Sequence, residues 1–293
     1  EIYESLLKTV DLKGDGLILF QLAHLYQLAG QNNKAQALFE NITDHTSSKK
    51  ISASILKRSR TGLADLLFQK GKFKQALKNY SLALQDSNLE NRPLVISPKA
   101  WCEFNLEHVA QAINTMVNLL SHPDQITRQN DEGVTYDPAF HADLLRDLAT
   151  FYARRNVTEK EINEFEKLIP TGKNKEMLLH FATEVDRVGQ KKAARIILDK
   201  YLQDPSLTKE ERLQAFVTRA QVNYDGGQST QSTQDFAKAA AAYQDRGCDH
   251  SDECVKLQKT MKHYVTELHR SKKIKPDQDL LNSYSIYTKT FPD

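Results

Sequence analysis

Residues 17–42 read LILFQLAHLYQLAGQNNKAQALFENI, and this stretch decides the fold. Its apolar residues recur at intervals of three and four as far as Tyr26, which predicts an amphipathic helix. Gly30 interrupts the pattern, and a second apolar stripe runs from Ala35 to Ile42. The stretch therefore predicts two antiparallel helices joined by a short turn.

The same order of residue types returns around residues 60–83, so the predicted hairpin is a repeat. In both copies a large apolar residue is followed by a small one and a second large one, and then by alanine, an aromatic residue and a last apolar residue. The six residues are Leu22, Ala23, Tyr26, Ala35, Phe39 and Ile42 in the first copy, and Leu63, Ala64, Leu67, Ala76, Tyr80 and Ala83 in the second. The small residues let the two helices approach closely, and the large ones fill the gap to the next hairpin.

This skeleton resembles the tetratricopeptide repeat, whose pattern places these residue classes at these offsets. Three looser copies follow: Ala100, Ala112, Met116 and Leu119; Leu148, Ala149, Tyr152, Phe165 and Leu168; and Phe181, Ala182, Val185, Ala194, Leu198 and Tyr201. Lys99 and Glu103 stand at apolar positions of the third copy, and Glu161 replaces the alanine of the fourth. The resemblance implies an all-α, right-handed solenoid of antiparallel helix hairpins.

Two parts of the chain differ in how closely they keep the pattern. Residues 1–205 hold about five helix pairs, with a polar inserted loop predicted at 122–137. Residues 206–293 predict a degenerate continuation of the same solenoid, with helices at 207–224, 233–244, 252–271 and 276–290. Because the chain starts at Glu1 and stops directly after an apolar helical pattern, we expect it to be a piece of a longer protein.

Two T-x-x-E sequences support the predicted helix starts. In a capping box, a threonine hydroxyl and a glutamate carboxylate three residues later satisfy free backbone amides at the first turn. Thr158 with Glu161 and Thr208 with Glu211 have this spacing. We therefore expect helices to begin at both places.

The charge balance excludes partners that are selected by bulk charge. Lys and Arg total 40 against 38 for Asp and Glu, so the formal net charge is +2. This gives no general attraction to nucleic acid or to acidic lipid. No run approaches the roughly 18–20 apolar residues that span a bilayer, so direct membrane insertion is not expected either.

The three cysteines bear on the compartment. Cys102 lies in an apolar helix and is predicted to be a buried thiol. Cys248 and Cys254 flank a short polar loop, where they are two unlinked thiols, a disulfide, or two ligands of a metal site with His250. A disulfide implies an oxidising compartment, and on that argument a bacterial periplasm or cell envelope is preferred to the cytoplasm. The spacing fits no standard zinc motif.

Residues with catalytic spacing are missing from the sequence. The nine histidines form no pair three or four residues apart, and no G-x-S-x-G, P-loop or dinucleotide-binding pattern occurs. The sequence therefore predicts a protein that is not an enzyme and uses no cofactor or metal.

The resemblance also implies where a partner would bind. In tetratricopeptide proteins the first helix of each pair lines a concave groove that receives peptides or helices. By position, that groove would present Phe20, His24, Gln27, Arg58, Asp65, Phe68, Trp101, Asn105, Asp143, Arg146 and Arg154. Trp101, the single tryptophan, is either an exposed anchor or buried against a neighbouring hairpin.

Two functions follow from this prediction. The first is a non-catalytic scaffold or adaptor whose groove holds a peptide or protein partner. The alternative is a structural component of a multiprotein envelope or motility-type assembly, which packs through its repeat faces or ends. Exposed apolar surface in the groove favours the first, and exposed apolar surface on the convex face or the ends favours the second.

Overall fold

A computed structural model describes residues 15–44, 51–85, 89, 91–130, 133–172, 174–244 and 252–292. Fourteen α-helices lie in this part of the chain. They are α1 Gly16–Leu28, α2 Asn32–Asp44, α3 Ala53–Gln69, α4 Phe73–Ala83, α5 Arg92–Asn105, α6 Val109–Leu120, α7 Pro138–Ala153, α8 Glu159–Leu168, α9 Asn174–Arg187, α10 Lys191–Leu202, α11 Lys209–Asp225, α12 Ser229–Gln244, α13 Asp252–Lys272 and α14 Gln278–Thr290.

Consecutive helices form hairpins, which we number 1 (α1–α2) to 7 (α13–α14). The predicted all-α solenoid of helix hairpins is confirmed, and both predicted capping boxes are present, at the starts of α8 and α11. The contacts divide the chain into two compact units, residues 1–144 and 145–293. The first unit contains hairpins 1–3 and the start of α7, and the second contains the rest of hairpin 4 and hairpins 5–7.

One turn geometry joins the two helices in five of the hairpins. In hairpin 1, Gly30 has φ +71° and the N–H of Gln31 donates to the carbonyl oxygen of Tyr26 at 2.8 Å. This bond from the residue after a left-handed one is the Schellman motif, which satisfies the last carbonyl groups of a helix. The same bond follows Gly71, Glu107, Gly189 and Gly227. The second helix of each hairpin therefore leaves its partner in the same direction.

The small residues of the repeat pattern lie where helices approach most closely. Ala23, Ala35 and Ala64 are completely buried in the core of the first unit. Gly62, in the middle of α3, packs against the ring of Phe39 in the preceding hairpin, and a Cβ placed there would stand 2.7 Å from Phe39 Cζ. Contact between hairpins 1 and 2 therefore depends on a residue without a side chain.

The insertion between α6 and α7 is not a simple loop. Pro123–Gln125 forms a 3₁₀ turn, and strands β1 (Thr127–Asn130) and β2 (Gly133–Tyr136) pair antiparallel, with Thr127 opposite Tyr136. The insertion is anchored because Ile126 is buried and the Tyr136 hydroxyl lies 3.0 Å from Nδ1 of His141 in α7. The insertion predicted at 122–137 is present, but its polar residues pair with each other as a β-hairpin, which the sequence pattern did not predict.

Polar residues at apolar positions of hairpin 3 form a closed cluster. Lys99 is ion-paired with one carboxylate oxygen of Glu103, and Thr115 donates to the other oxygen at 2.8 Å. Glu103 is 6% exposed, so its charge is buried but fully partnered. The deviation from the repeat pattern is therefore compensated inside the same hairpin.

Hairpin 6 contains a sixth copy of the repeat that the sequence pattern does not reveal. Its six positions are Arg219, Ala220, Asn223, Ser232, Phe236 and Ala239. Three of these are polar, and Arg219 lies between Asp199 and the buried Asp235. A search for apolar spacing passes over such residues, which is why the sequence predicts a looser pattern beyond residue 206.

The cysteines differ in how far they can be described. Cys102 is a free, buried thiol, as predicted, and burial together with the charge of Glu103 raises its pKa to about 12. Cys254 is completely buried in the core of the second unit. Cys248 lies outside the described residues, as does His250, so the disulfide and the metal alternative stay predictions.

Candidate functional site

The most apolar large cavity described in the first unit lies along the first helices of hairpins 1–3. Its volume is about 700 Å³, and we call it the α1–α3 cavity. The lining consists of Phe20, His24, Gln27, Leu28, Phe39, Ser54, Lys57, Arg58, Thr61, Gly62, Asp65, Leu89, Asn91, Leu94 and Val95. Five of the predicted groove residues are thus brought together in it: Phe20, His24, Gln27, Arg58 and Asp65.

Phe20 carries the ring contacts of the cavity. The imidazole of His24 is parallel to the Phe20 ring, with 6.4 Å between ring centroids. From the second hairpin, the guanidinium carbon of Arg58 lies 4.8 Å from the Phe20 centroid, within the range of a cation–π interaction. This contact holds the exposed arginine over an aromatic surface, next to the open side of the cavity.

Asp65 is the carboxylate of the α1–α3 cavity. Its Oδ1 accepts a hydrogen bond from the hydroxyl of Tyr80, at 2.6 Å. Burial raises the pKa of Asp65, and the hydrogen bond from Tyr80 lowers it by less, so the net shift is upward. Burial and the neighbouring Asp65 charge also raise the pKa of Tyr80. The pair is therefore a fixed polar point in the cavity wall.

The apolar rim of the cavity contains two residues that the sequence prediction missed. Leu28 is 72% exposed and Leu94 is 57% exposed, although both are large apolar residues. Leu28 occupies the hairpin position of Asn105 and Arg154, and Leu94 occupies that of Arg58 and Asp143, all of which were predicted. The repeat therefore places both leucines at predicted groove positions. They were missed because polar residues were selected at these positions.

Three other predicted residues of the first unit do not line the cavity. Phe68 packs edge-on against Phe73, with 5.5 Å between ring centroids, and lies against the core. Trp101 is half-buried and packs edge-on against Phe104 of its own helix, also at 5.5 Å. Asn105 is exposed, and its side chain donates to the backbone oxygen of Trp101 at 2.8 Å.

Of the last three predicted residues, Asp143 and Arg146 lie on α7 and Arg154 directly follows it; α7 has residues in both units. Asp143, in the first unit, is exposed. Arg146, in the second unit, is ion-paired with Glu176 of α9, and Arg154 is exposed at the end of α7. Their membership of a common groove with the α1–α3 cavity stays a prediction.

The described residues offer no metal site and no membrane-spanning helix. No group of three or more His, Cys, Asp or Glu side chains is arranged to hold an ion in the described ranges. None of the helices in that part of the chain combines the length and the apolar character needed to cross a bilayer. The α1–α3 cavity itself presents binding groups: aromatic and aliphatic surface, cations and one carboxylate.

No family model matches the chain, and no curated protein matches it. Similarity is found among solved structures of helical repeat proteins. The C-terminal part of a TPR repeat-containing protein from Cytophaga hutchinsonii is 14% identical, over 93% of this chain and 95% of that one, with a TM-score of 0.48. A tetratricopeptide repeat protein from Parabacteroides merdae is 13% identical, over 94% of this chain and 98% of that one, with a TM-score of 0.46.

The class of the protein follows from its own hairpins. Successive helix pairs, a recurring left-handed turn and small residues at the close contacts define a tetratricopeptide-type helical repeat fold. The similarities to solved structures concern the fold, and they assign no partner to this chain.

Proposed function

We propose that this chain is a non-catalytic scaffold or adaptor that binds a peptide segment of another protein in the α1–α3 cavity. The observation that carries the proposal is the pair of exposed leucines, Leu28 and Leu94, at the rim of an open cavity beside Phe20. Large apolar side chains exposed together at a concave surface are typical of interaction sites.

The lining supports a partner that combines an apolar side chain with an acidic group. Phe20, Leu28 and Leu94 offer surface to an aliphatic or aromatic residue. Arg58 lies beside that surface and is exposed, so it is placed to pair with a carboxylate of the same segment. Rigid aromatic contacts with one oriented charge give both affinity and register.

A phage-displayed library of random 12-residue peptides, panned on the immobilised chain, tests this proposal. We expect enriched peptides that contain an apolar residue near an aspartate or glutamate. The variant Leu28→Ser with Leu94→Ser should bind a synthetic enriched peptide about tenfold or more weakly in isothermal titration calorimetry, because two apolar contacts are lost. Arg58→Glu should weaken binding by a similar factor.

Val134→Ser provides the matched control. Val134 is also a large exposed residue of the first unit, 69% exposed, but it lies on β2 and not in the α1–α3 cavity. Its substitution should leave the affinity within about twofold. If the leucine variant binds as tightly as the wild type while the control behaves as expected, the cavity is not the binding site.

The second candidate, a structural part of a larger assembly, is favoured by a different observation. Three apolar residues of hairpin 7 face solvent: Ile274 is fully exposed, Leu281 is 61% exposed and Tyr284 is 40% exposed. Exposed apolar surface of this kind suits packing against another protein. Sedimentation velocity tests this candidate. It is favoured if the wild type associates with rising concentration and the variant Ile274→Ser with Leu281→Ser does not.

A further inference from the structure

A second cavity lies in the second unit and is lined mainly by the second helices of hairpins 5 and 6. It measures about 370 Å³ and lies between α10, α11 and α12, and we call it the α10–α12 pocket. The lining consists of Lys192, Arg195, Ile196, Asp199, Arg219, Asn223, Gln228, Gln231, Gln234, Asp235 and Lys238. Most of these residues belong to second helices, whereas the residues predicted for the groove all belong to first helices.

The floor of the pocket is a buried network of polar side chains. Nε of Arg219 donates to Oδ2 of Asp235 at 2.8 Å, and Nη2 donates to Oδ1 at 2.6 Å. Asn223 Nδ2 donates to the same Asp235 Oδ2 at 3.0 Å. Asp235 is 3% exposed and Asn223 is 4% exposed, so the network is fixed inside hairpin 6.

One atom of this network lacks a partner. Oδ1 of Asn223 is buried and accepts no hydrogen bond from any described residue. A buried acceptor without a donor is unfavourable and uncommon in native proteins, so each such case calls for an explanation. The equivalent cluster of hairpin 3 leaves no carboxylate oxygen unpaired, because both oxygens of Glu103 are bonded. The network of hairpin 6 therefore retains one unsatisfied acceptor, Asn223 Oδ1.

The charges around the pocket are unbalanced. Four cations line it (Lys192, Arg195, Arg219 and Lys238) against two carboxylates (Asp199 and Asp235). Arg219 is ion-paired with both carboxylates, and Lys238 lies 3.7 Å from Asp235. Lys192 and Arg195 form no ion pair with a described residue. The excess of two positive charges is therefore carried by the α10 side of the pocket.

The other wall consists of amides. Gln231 and Gln234 are exposed on α12, and their side chains make no hydrogen bond with a described residue. A primary amide donates and accepts at once, which matches the backbone of an extended peptide. The pocket thus combines amide groups on one wall with two available cations on the other, above a fixed polar floor.

We propose that the α10–α12 pocket binds an extended acidic peptide segment of a second partner. Carboxylates of that segment pair with Lys192 and Arg195, and the side chains of Gln231 and Gln234 hydrogen-bond to its backbone. Charge complementarity carries the choice of partner, because the available groups are cations and amides with little apolar surface. The site is independent of the α1–α3 cavity, and each proposal fails or stands alone.

Panning the same random 12-residue library provides the first test. Peptides are sorted by whether they bind the variant Lys192→Glu with Arg195→Glu, and the most enriched dependent peptide is synthesised. We expect it to contain at least two acidic residues and to bind the double variant about tenfold or more weakly than the wild type. Raising sodium chloride should weaken its binding to the wild type, since the contacts are between exposed charges.

The matched control is Lys259→Glu with Lys262→Glu, which changes the net charge equally at exposed positions of α13. It should leave the affinity within about twofold. Side-chain amide signals of Asn223 in ¹⁵N–¹H spectra of the wild type should shift when the peptide binds. A second control, Leu28→Ser with Leu94→Ser, should also bind normally, which separates this site from the cavity of the first unit.

Three outcomes would overturn the proposal. One is a library in which no enriched peptide depends on Lys192 and Arg195. Another is equal weakening by the α13 control, which would mean attraction by net charge alone. The third is displacement of the peptide by a 12-nucleotide oligothymidylate at similar concentration, which would show that the pocket takes polyanions in general and not an acidic peptide.

Discussion

At the scale of single residues, Glu107 departs from its equivalents in the other hairpins. Its φ is +62°, and in hairpins 1, 2, 5 and 6 the residue at this point of the turn is glycine. A left-handed conformation is strained for a residue with a Cβ and not for glycine. The turn of hairpin 3 is therefore formed against a local preference.

Replacing Glu107 by glycine should remove this strain. We expect Glu107→Gly to raise the free energy of unfolding by about 1 kcal/mol, measured by urea denaturation. Gly71→Ala is the matched reverse experiment, because Gly71 has φ +70° and no atom lies within 4 Å of the position that an alanine Cβ would take. It should lower the free energy of unfolding by about 1 kcal/mol. Equal stability of Glu107→Gly and the wild type would contradict the strain argument.

Asp65 gives a prediction about pH. Its pKa is raised in the folded state, so folding favours the protonated acid, and stability falls as pH rises from the ordinary value of 3.8 through the folded-state pKa. Asparagine accepts the same hydrogen bond from Tyr80 without a charge to bury. Asp65→Asn should therefore raise the free energy of unfolding at pH 7 by about 0.5–1 kcal/mol. Denaturation at pH 3.5 should show a smaller difference, and a difference that grows on acidification would refute the assignment.

At this scale, the sequence correctly predicted cavity residues whose place depends only on their position in the repeat. Phe20, His24 and Arg58 line one cavity because a repeat fixes which side of a helix each position occupies. Leu28 and Leu94 occupy equivalent positions, but they were missed because polar residues were preferred there and the sequence does not show whether a leucine is exposed. That depends on neighbouring hairpins, and no property of the leucine itself reports it.

At the scale of elements, each hairpin is recognisable from sequence when its contacts are apolar. Hairpins 1, 2 and 5 keep large and small residues at the expected places, and the turn predicted at Gly30 lies between α1 and α2. The helices of hairpin 6 were predicted, but its repeat pattern was not recognised because Arg219, Asn223 and Ser232 stand at apolar positions. These side chains are hydrogen-bonded to Asp235 or to backbone groups. Complementary polar residues preserve the geometry of a repeat while erasing its pattern.

Contact between hairpins 1 and 2 can be tested at Gly62. Alanine is a better helix former than glycine by about 1 kcal/mol, but its Cβ would stand 2.7 Å from Phe39 Cζ. Overpacking of this kind costs about 1–3 kcal/mol, so Gly62→Ala should lower the free energy of unfolding by about 1–2 kcal/mol. In the background of Phe39→Leu the same substitution should be neutral or stabilising. A double-mutant cycle with no coupling would contradict the contact.

At the scale of the whole molecule, contacts between hairpins are made mostly by hairpins that follow each other in the sequence. A hairpin packs mainly against the hairpins next to it in sequence, so stability is close to a sum of local terms. The division at residues 144 and 145 was not foreseen, because it depends on how many contacts cross each junction and not on any single residue. The β-hairpin at 127–136 was also missed. Its strands have only four residues each and pair with each other, so they show no apolar pattern of a larger sheet.

Local coupling predicts a local response to a core substitution. Phe236 is buried in the second unit and packs on Tyr264, with 4.6 Å between ring centroids. Phe236→Ala should cost about 3–4 kcal/mol. In hydrogen exchange followed by mass spectrometry, we expect faster exchange in α11–α13 and unchanged exchange in α1–α4. Uniformly faster exchange along the chain would show global cooperativity instead.

The two polar clusters also bear on how the chain avoids misfolding. Successive apolar hairpins resemble one another, so a helix emerging early could pair with the wrong neighbour or with a second molecule. In hairpin 6, Arg219 of α11 fits only a helix that supplies Asp235. In hairpin 3, Lys99 and Glu103 both belong to α5, and the matching group on α6 is Thr115, which donates to Glu103. A shifted pairing in hairpin 6 would bury an uncompensated charge, and one in hairpin 3 would leave a buried carboxylate oxygen without a donor; both are unfavourable. The two clusters thus favour the correct pairing of helices in a chain whose hairpins are otherwise similar.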